Sequence, residues 1–198
     1  MPGAAMTGKE YYAHETACID AGARVGKDTK IWHFSHVMGS AEIGERCTIG
    51  QNVYIDRAVI IGNGVKIQNN VSVYQGVEVE DDAFLGPSVV FTNVINPRSF
   101  IERKEEFKKT YVRQGATIGA NATVVCGIEI GVYALIGAGT VVTRDVPPFA
   151  LVVGNPGKQV GWISRNGHKM VFDAEGIYRE DGWLYKRNGQ KLSVEQVL

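Results

Sequence analysis

The sequence predicts an all-β fold, a parallel β-solenoid, and three observations carry that expectation. First, an Ile, Val or Leu recurs every sixth position from Ile19: Val25, Ile31, Val37, Ile43, Ile49, Ile55, Ile61, Ile67, Val73, Val79 and Leu85, and again at Val112, Ile118, Val124, Ile130 and Ile136. Second, a small or β-branched residue follows four positions later, as at Ala23, Thr29, Ser35, Val53, Val71, Ala116, Ala122 and Ala134. Third, the slot after the aliphatic is often glycine, as at Gly44, Gly62, Gly86, Gly119 and Gly137. In a chain that is 44% hydrophobic, twelve consecutive apolar hits arise by chance about once in twenty thousand tries. Neither a helix period nor strand alternation produces a spacing of six.

Each hexad reads as one short strand and a corner. The two inward slots fill a narrow core, and Gly or Asn at the corners admits backbone angles that other residues resist. Three sides make one coil, so residues eighteen apart stack, and each rung touches only its neighbours. Residues 19–90 then form four coils, and 112–141 supply five further hexads. Residues 1–10 are expected to be a mobile extension, 11–160 the solenoid and 161–198 a small C-terminal cap or oligomer contact.

The hexad fails after Phe91, and residues 92–111 (TNVINPRSFIERKEEFKKTY) cannot be coil, because the 21 residues from Phe91 to Val112 are not a multiple of six. They are expected to loop out and return, with their many charges in solvent. Long loops in compact domains often carry function. After Val142 the solenoid is expected to end, since Pro147-Pro148 and Asn155-Pro156 do not continue a ladder. In the tail, Glu180-Asp181-Gly182 and Asn188-Gly189 read as turns between short aromatic strands near Tyr178 and from Trp183 to Tyr185.

Basic and acidic residues number 21 each, which argues against a broad nucleic-acid or anionic-membrane surface. No apolar run reaches membrane-spanning length, and residues 1–10 lack the apolar segment of a signal peptide. Three cysteines without metal-type spacing suit a reduced cytoplasm.

With no charged group at any inward slot, chemistry belongs on the outer faces. Stacking by eighteen aligns His33 with Gln51 and Asn69, Trp32 with Gly50 and Gln68, and Arg57 with Gln75 and Asn93. His33 and His36 are open to three readings: ligand contact or catalytic base, metal ligand, and interface packing. A metal needs more ligands than the hexad spacing supplies, so none is expected. Asn69 and Asn70 read equally as corner residues. Cys126 has no nearby His in sequence to make it a nucleophile. The second block places Gly119, Ala120, Gly137 and Ala138 on successive rungs, where an extended thiol-linked arm has room to lie. Arg144 and Lys158 offer charges for phosphates at its far end.

The segments VRQGATIGANATVVCG and VGNPGKQV resemble the coenzyme A end of hexapeptide-repeat acyltransferases. That resemblance implies the triangular section and left-handed winding of a left-handed parallel β-helix, and acetyl-CoA as co-substrate. Together with IWHFSHV, KIQNNVSVYQGV and FLGPSVVFTNVINPR, the chain is similar, over residues 11–165, to UDP-2-acetamido-3-amino-2,3-dideoxy-D-glucuronate N-acetyltransferases. The resemblance implies acetylation of a sugar 3-amino group on the route to surface polysaccharide such as O-antigen, in a homotrimer with sites between subunits. It places the key Asn at Asn93; for the amine proton, His36, His33 and the thiolate leaving group are the candidate acceptors. Gln68, Asn69, Tyr74 and Gln75 would line the UDP-amino sugar, and Arg98 and Arg113 would meet its uronate or diphosphate. The tail after Gly167 departs from this pattern. A different acceptor, such as a 4-amino sugar, and a non-catalytic scaffold remain the rival readings.

Overall fold

The computed structural model describes residues 10–189 and 191–197; the extension expected over residues 1–10 falls almost wholly outside them. Among the described residues the solenoid is made of two- to four-residue strands in parallel sheets of eight, seven and six strands, with one antiparallel strand added as the ninth of the first sheet. These sheets are the three faces of the prism, the left-handed β-helix that the hexads and the resemblance imply. The first face contains Tyr12–Ala13 and Lys30–Ile31, the second Cys18–Ile19 and His36–Val37, the third Arg24–Val25 and Glu42–Ile43.

Register follows directly from the hexad. Lys30 pairs with Thr48 and Tyr54 with Ser72, eighteen apart, as are all the rungs before the excursion. The aliphatic slots from Ile31 to Leu85 and from Val112 to Ile136 are all buried, as are the small slots from Ala41 to Val89 and Ala116 to Ala134. Buried Thr29 and Ser35 donate their hydroxyls to the carbonyls of Gly44 and Gly50, so their polarity serves the backbone. At each corner one residue has positive φ, among them Asp28 (58°), Ser40 (64°), Asn70 (63°) and Asn121 (57°). Phe34 (57°) and Tyr133 (54°) take the same angle although their bulk makes it costly.

Three details revise the expected boundaries. Phe91 is still a core residue, paired in register with Val124. Val79 pairs with Val112 across 33 residues instead of eighteen, so fifteen residues are inserted, and the ladder resumes at Thr110. The solenoid also outlasts Val142: Ile130 bridges to Val146 and Ile136 pairs with Val152, in a coil shortened by two residues. Pro147 and Pro148 are compatible with this because Val146 is the last rung on its face, so no further strand requires a ladder N–H after it. Strand Lys158–Trp162 then turns back antiparallel on Ala150–Val153.

The tail is the strand-turn-strand unit its turns suggest. Ile177–Glu180, Trp183–Asn188 and Lys191–Gln196 form a three-stranded antiparallel sheet. A second core of Phe149, Trp162, Met170 and fully buried Tyr185 joins it to the solenoid. The Arg165 guanidinium lies 4.5 Å from the Tyr133 ring and 4.2 Å from the Trp183 ring, bridging corner and sheet.

Val71 is 0% exposed. Val71→Asp is expected to cost about 4 kcal/mol or more, because a carboxylate there has no partner, and to lower the melting temperature by about 10 °C. Exposed Glu105→Gln should leave it within a degree or two; thermal unfolding of the two variants checks the register.

Candidate active site on the edges of the solenoid

The corners stack into three edges, and the predicted site residues divide among them. The edge between first and second faces carries Trp32, His33 and Phe34, then Gln68 and Asn69, then Gly119, Ala120, Gly137 and Ala138. The edge between second and third faces carries Arg57, Tyr74, Gln75 and Asn93, with Arg144 two rungs beyond Asn93. Arg113 alone lies on the third edge.

The first edge opens with an aromatic group. The His33 ring stacks on His14 at 3.5 Å between centroids, and Trp32 meets Tyr12 edge-on at 5.7 Å. Further along, the Asn69 side-chain oxygen accepts the Gln51 backbone N–H at 2.8 Å, and Asn70 accepts from the Asn52 amide at 3.0 Å. These bonds tie one rung to the next; of the left-handed angles expected at both asparagines, Asn70 alone takes one (φ 63°). The glycines here have a packing reason too. A Cβ on Gly86 would come within 2.7 Å of the Ala120 backbone nitrogen, and one on Gly119 within 2.6 Å of that of Ala138. Ala138 and Gly139 are exposed, and a Cβ on Gly139 would meet nothing, so the rungs leave a smooth open strip at this end.

The second edge holds the excursion. Chain departure and return are fixed where the Asn93 carbonyl accepts the Lys108 N–H at 3.0 Å and Thr92 Oγ1 accepts the Cys126 N–H at 3.0 Å. The Asn93 amide itself makes no hydrogen bond among the described residues and is half-buried, so both its donor and its acceptor remain available. Gln75 donates its backbone N–H to Asp56 at 3.3 Å, and the Tyr74 ring lies 6.1 Å from that of Tyr54. Arg98, exposed in the loop, donates to its neighbour's carbonyl at Pro97. The loop is less polar than its charges imply: Ile95, Phe100 and Ile101 are all exposed, Phe100 at 82%.

His36 stands on the second face between these edges. Its Nε2 lies 3.1 Å from Asp20 Oδ1, and that hydrogen bond holds the Asp20 carboxyl below the usual carboxylate range. Tyr54, next along the face, packs edge-on against His36 and donates its hydroxyl to Met38 Sδ at 2.7 Å. The sequence reading named His36 and Tyr74 but missed Asp20 and Tyr54. Tyr54 stacks eighteen residues after His36 and was findable that way. Asp20 sits at the corner of the preceding coil, two residues after Cys18. Cys18, Asp20 and His36 form the one group of possible metal-ligating side chains among the described residues, their ligand atoms within 4.8 Å of each other.

Arg113 is committed elsewhere. It pairs with Glu80 at 2.7 Å and Glu129 at 2.5 Å and lies over the Tyr111 ring, and the two carboxylates push its ionisation further up. It clamps three rungs at the third edge, where no other predicted substrate residue sits.

The outer faces also differ in charge. Along the second face the outward residues are Cys18, His36, Tyr54, Ser72, Val90, Thr123 and Val141, with no Lys, Arg, Asp or Glu. The third face presents Arg24, Glu42, Ile60, Glu78, Tyr111 and Glu129.

Comparison with known proteins follows this geometry. The family described as "Bacterial transferase hexapeptide (six repeats)" matches residues 22–57, and "Hexapeptide repeat of succinyl-transferase" matches 41–75 and 114–144. The dTDP-3-amino-3,6-dideoxy-alpha-D-galactopyranose 3-N-acetyltransferase of Aneurinibacillus thermoaerophilus is 42% identical over 175 residues, covering 88% of this chain and 90% of that protein. The bifunctional protein GlmU of Thermotoga maritima is 30% identical over 75% of this chain, which spans 43% of that protein. Among solved structures, LpxA, a UDP-N-acetylglucosamine acyltransferase from Bacteroides fragilis, superposes with a TM-score of 0.64 at 22% identity, over 77% of this chain and 61% of that one, a likeness of fold.

Arg113→Gln should lower stability by about 1 kcal/mol, since both pairs are partly exposed. That corresponds to about 2–4 °C in melting temperature. KM for any acceptor should stay unchanged; a large rise in KM would return Arg113 to the substrate site.

Proposed function

Because this chain belongs to the hexapeptide-repeat acyltransferases, as its repeats and its 42% identity to a sugar-nucleotide N-acetyltransferase across nearly the full length of both chains establish, we propose that it transfers the acetyl group of acetyl-CoA to the 3-amino group of a nucleotide-linked amino sugar. The 3-amino position carries most weight, because that relative is itself a 3-N-acetyltransferase. Two sugars fit the position. One is the UDP-linked 2-acetamido-3-amino uronic acid that the sequence motifs suggest. The other is a dTDP-linked 3-amino-3,6-dideoxyhexose, as the relative's name states. The commitment of Arg113 to Glu80 and Glu129 removes one of the two arginines assigned to a uronate carboxylate, which favours the second.

The working unit is a homotrimer. Three prisms that turn their uncharged second faces toward a common axis bring the first edge of one copy against the second edge of the next. His33, Gln68 and the Ala120–Ala138 strip of one subunit then face Arg57, Gln75 and Asn93 of its neighbour. These residues sit on opposite edges of a single chain, and the trimer is what unites them. The exposed Ile95, Phe100 and Ile101 of the excursion give the neighbour an apolar surface to cover. Both co-substrates belong to the cytoplasm.

In the cleft, the neutral 3-amine attacks the thioester carbonyl; the N–C bond forms, the C–S bond breaks and coenzyme A leaves as the thiolate. The amine proton passes to the departing sulfur; His36, poised by Asp20, stands three rungs before Asn93, about 14 Å along the axis at the spacing of sheet strands, too far to take it directly. An amine is already a good nucleophile, so positioning and oxyanion stabilisation dominate. The unpartnered Asn93 amide, anchored by its own backbone at the loop's root, suits that task.

Acetylation assays with both nucleotide sugars, and with a 4-amino analogue, test the acceptor. Activity on the 4-amino sugar alone would overturn the reading. Asn93→Ala should lower kcat about a hundredfold while the melting temperature holds. Val90→Arg, a charge on the second face at a half-exposed site, should shift the protein from trimer to monomer in light scattering and abolish activity.

A further inference from the structure

We infer that the C-terminal sheet is part of the coenzyme site, with Arg187 joining Arg144 and Lys158 in a pocket for the 3′-phosphate of coenzyme A. This rests on the reading of the protein as an acetyl-CoA-dependent transferase. A cavity of about 500 Å³ opens where the last coil, the returning strand Lys158–Trp162 and the tail sheet meet. Its lining draws one cation from each: Arg144 from the coil, Lys158 from the strand and Arg187 from the sheet. A volume of this size suits a nucleotide-sized ligand.

None of the three cations has a salt-bridge partner among the described residues, whereas Arg24, Arg46, Arg103 and Arg113 are all ion-paired. The only carboxylate in the lining, Asp145, already accepts the Glu129 N–H at 2.9 Å. Three cations against the single Asp145 carboxylate leave the lining with two positive charges in excess, which calls for a ligand group with more than one negative charge. A terminal phosphate monoester meets that demand, and several Arg and Lys donors can share its oxygens.

Arg187 is built into place. Its strand is central in the tail sheet, its N–H bonds the Gly176 carbonyl at 2.8 Å, and its guanidinium lies 5.0 Å from the Phe172 ring. The sheet is held to the solenoid by buried Tyr185 and by Arg165 between Tyr133 and Trp183. The pocket also stands at the correct end of the molecule. Arg144 is two rungs past Asn93 on the same edge, about 10 Å along the axis at the spacing of sheet strands, and Ala138 and Gly139 lie on the neighbouring edge at that level. An extended arm whose thioester reaches Asn93 therefore ends its nucleotide near the tail.

The diphosphate of the sugar nucleotide offers related chemistry, so the test separates the two. Titration calorimetry of the full chain compares coenzyme A, 3′-dephospho-coenzyme A and dTDP on wild type and Arg187→Gln. Arg179→Gln serves as a control on the same sheet, outside the cavity lining. Wild type should bind coenzyme A about tenfold tighter than the dephospho form. Arg187→Gln should erase most of that preference while dTDP affinity stays fixed, and the control should match wild type. An unchanged preference in Arg187→Gln overturns the inference, as does equal weakening of both coenzyme forms, which would mark Arg187 as support for the sheet. Loss of dTDP affinity instead would assign the pocket to the sugar nucleotide. Those three outcomes leave the transferase reading standing. Wild type that binds neither coenzyme form overturns both.

Discussion

Every inward side chain of this protein sits directly above the one a coil earlier, and the backbone at each corner must pass within a few ångströms of the corner below. This in-register stacking sets the sequence at three points. The inward slots must be apolar and of matched volume, because the prism is too narrow to hold a partner for a charge. The second corner residue must accept a positive φ, which selects Gly, Asn, Asp and Ser at most corners. The residue after the aliphatic must often lack a Cβ, since at Gly26, Gly44 and Gly131 that atom would approach the next rung's backbone to 2.5 or 2.6 Å. The same stacking turns corner side chains into ladders, as when Asn63 and Asp81 each accept a backbone N–H from the rung before.

A structure so regular offers few places for chemistry, and the sequence reading succeeded and failed along that line. The core was legible because period six leaves a signature at every slot, and even the break at Phe91 was visible as a lost multiple of six. The edges were harder. Gly119 and Gly137 suggested room for a ligand, yet for Gly119 the backbone of the next rung is reason enough for glycine. A sequence pattern cannot tell these reasons apart, because both demand the same missing Cβ. Arg113 was misleading for a different reason. Its partner Glu80 lies 33 positions away only because fifteen residues were inserted between them, so stacking by eighteen could not pair them.

The solenoid's end was misread through the prolines. Pro147 and Pro148 break a ladder only where a ladder N–H is due, and beyond the last rung of a face none is. The shortened final coil follows from the same region: Val146 and Val152 reach their partners sixteen residues back, so the corner is tightened without loss of the inward slots. That coil exposes a last rung to which something apolar must be joined, and the tail supplies it through Phe149, Trp162 and Tyr185.

On the proposed reading, capping and ligand binding become one arrangement. A rigid rod positions groups well along its length but cannot enclose a ligand by itself, since its faces are flat and its edges convex. Concavity must come from whatever departs from the repeat. Here there are two departures, the fifteen-residue insertion rooted at Asn93 and the returning strand with its sheet beyond Val153. The first stands beside the amide best placed to orient an amine, the second beside three unpaired cations. The stacked rungs between them fix the separation of those two places through backbone hydrogen bonds. In the proposed enzyme, the distance between a reacting carbonyl and a distant phosphate is thus set by the number of coils, which no side-chain motion can alter.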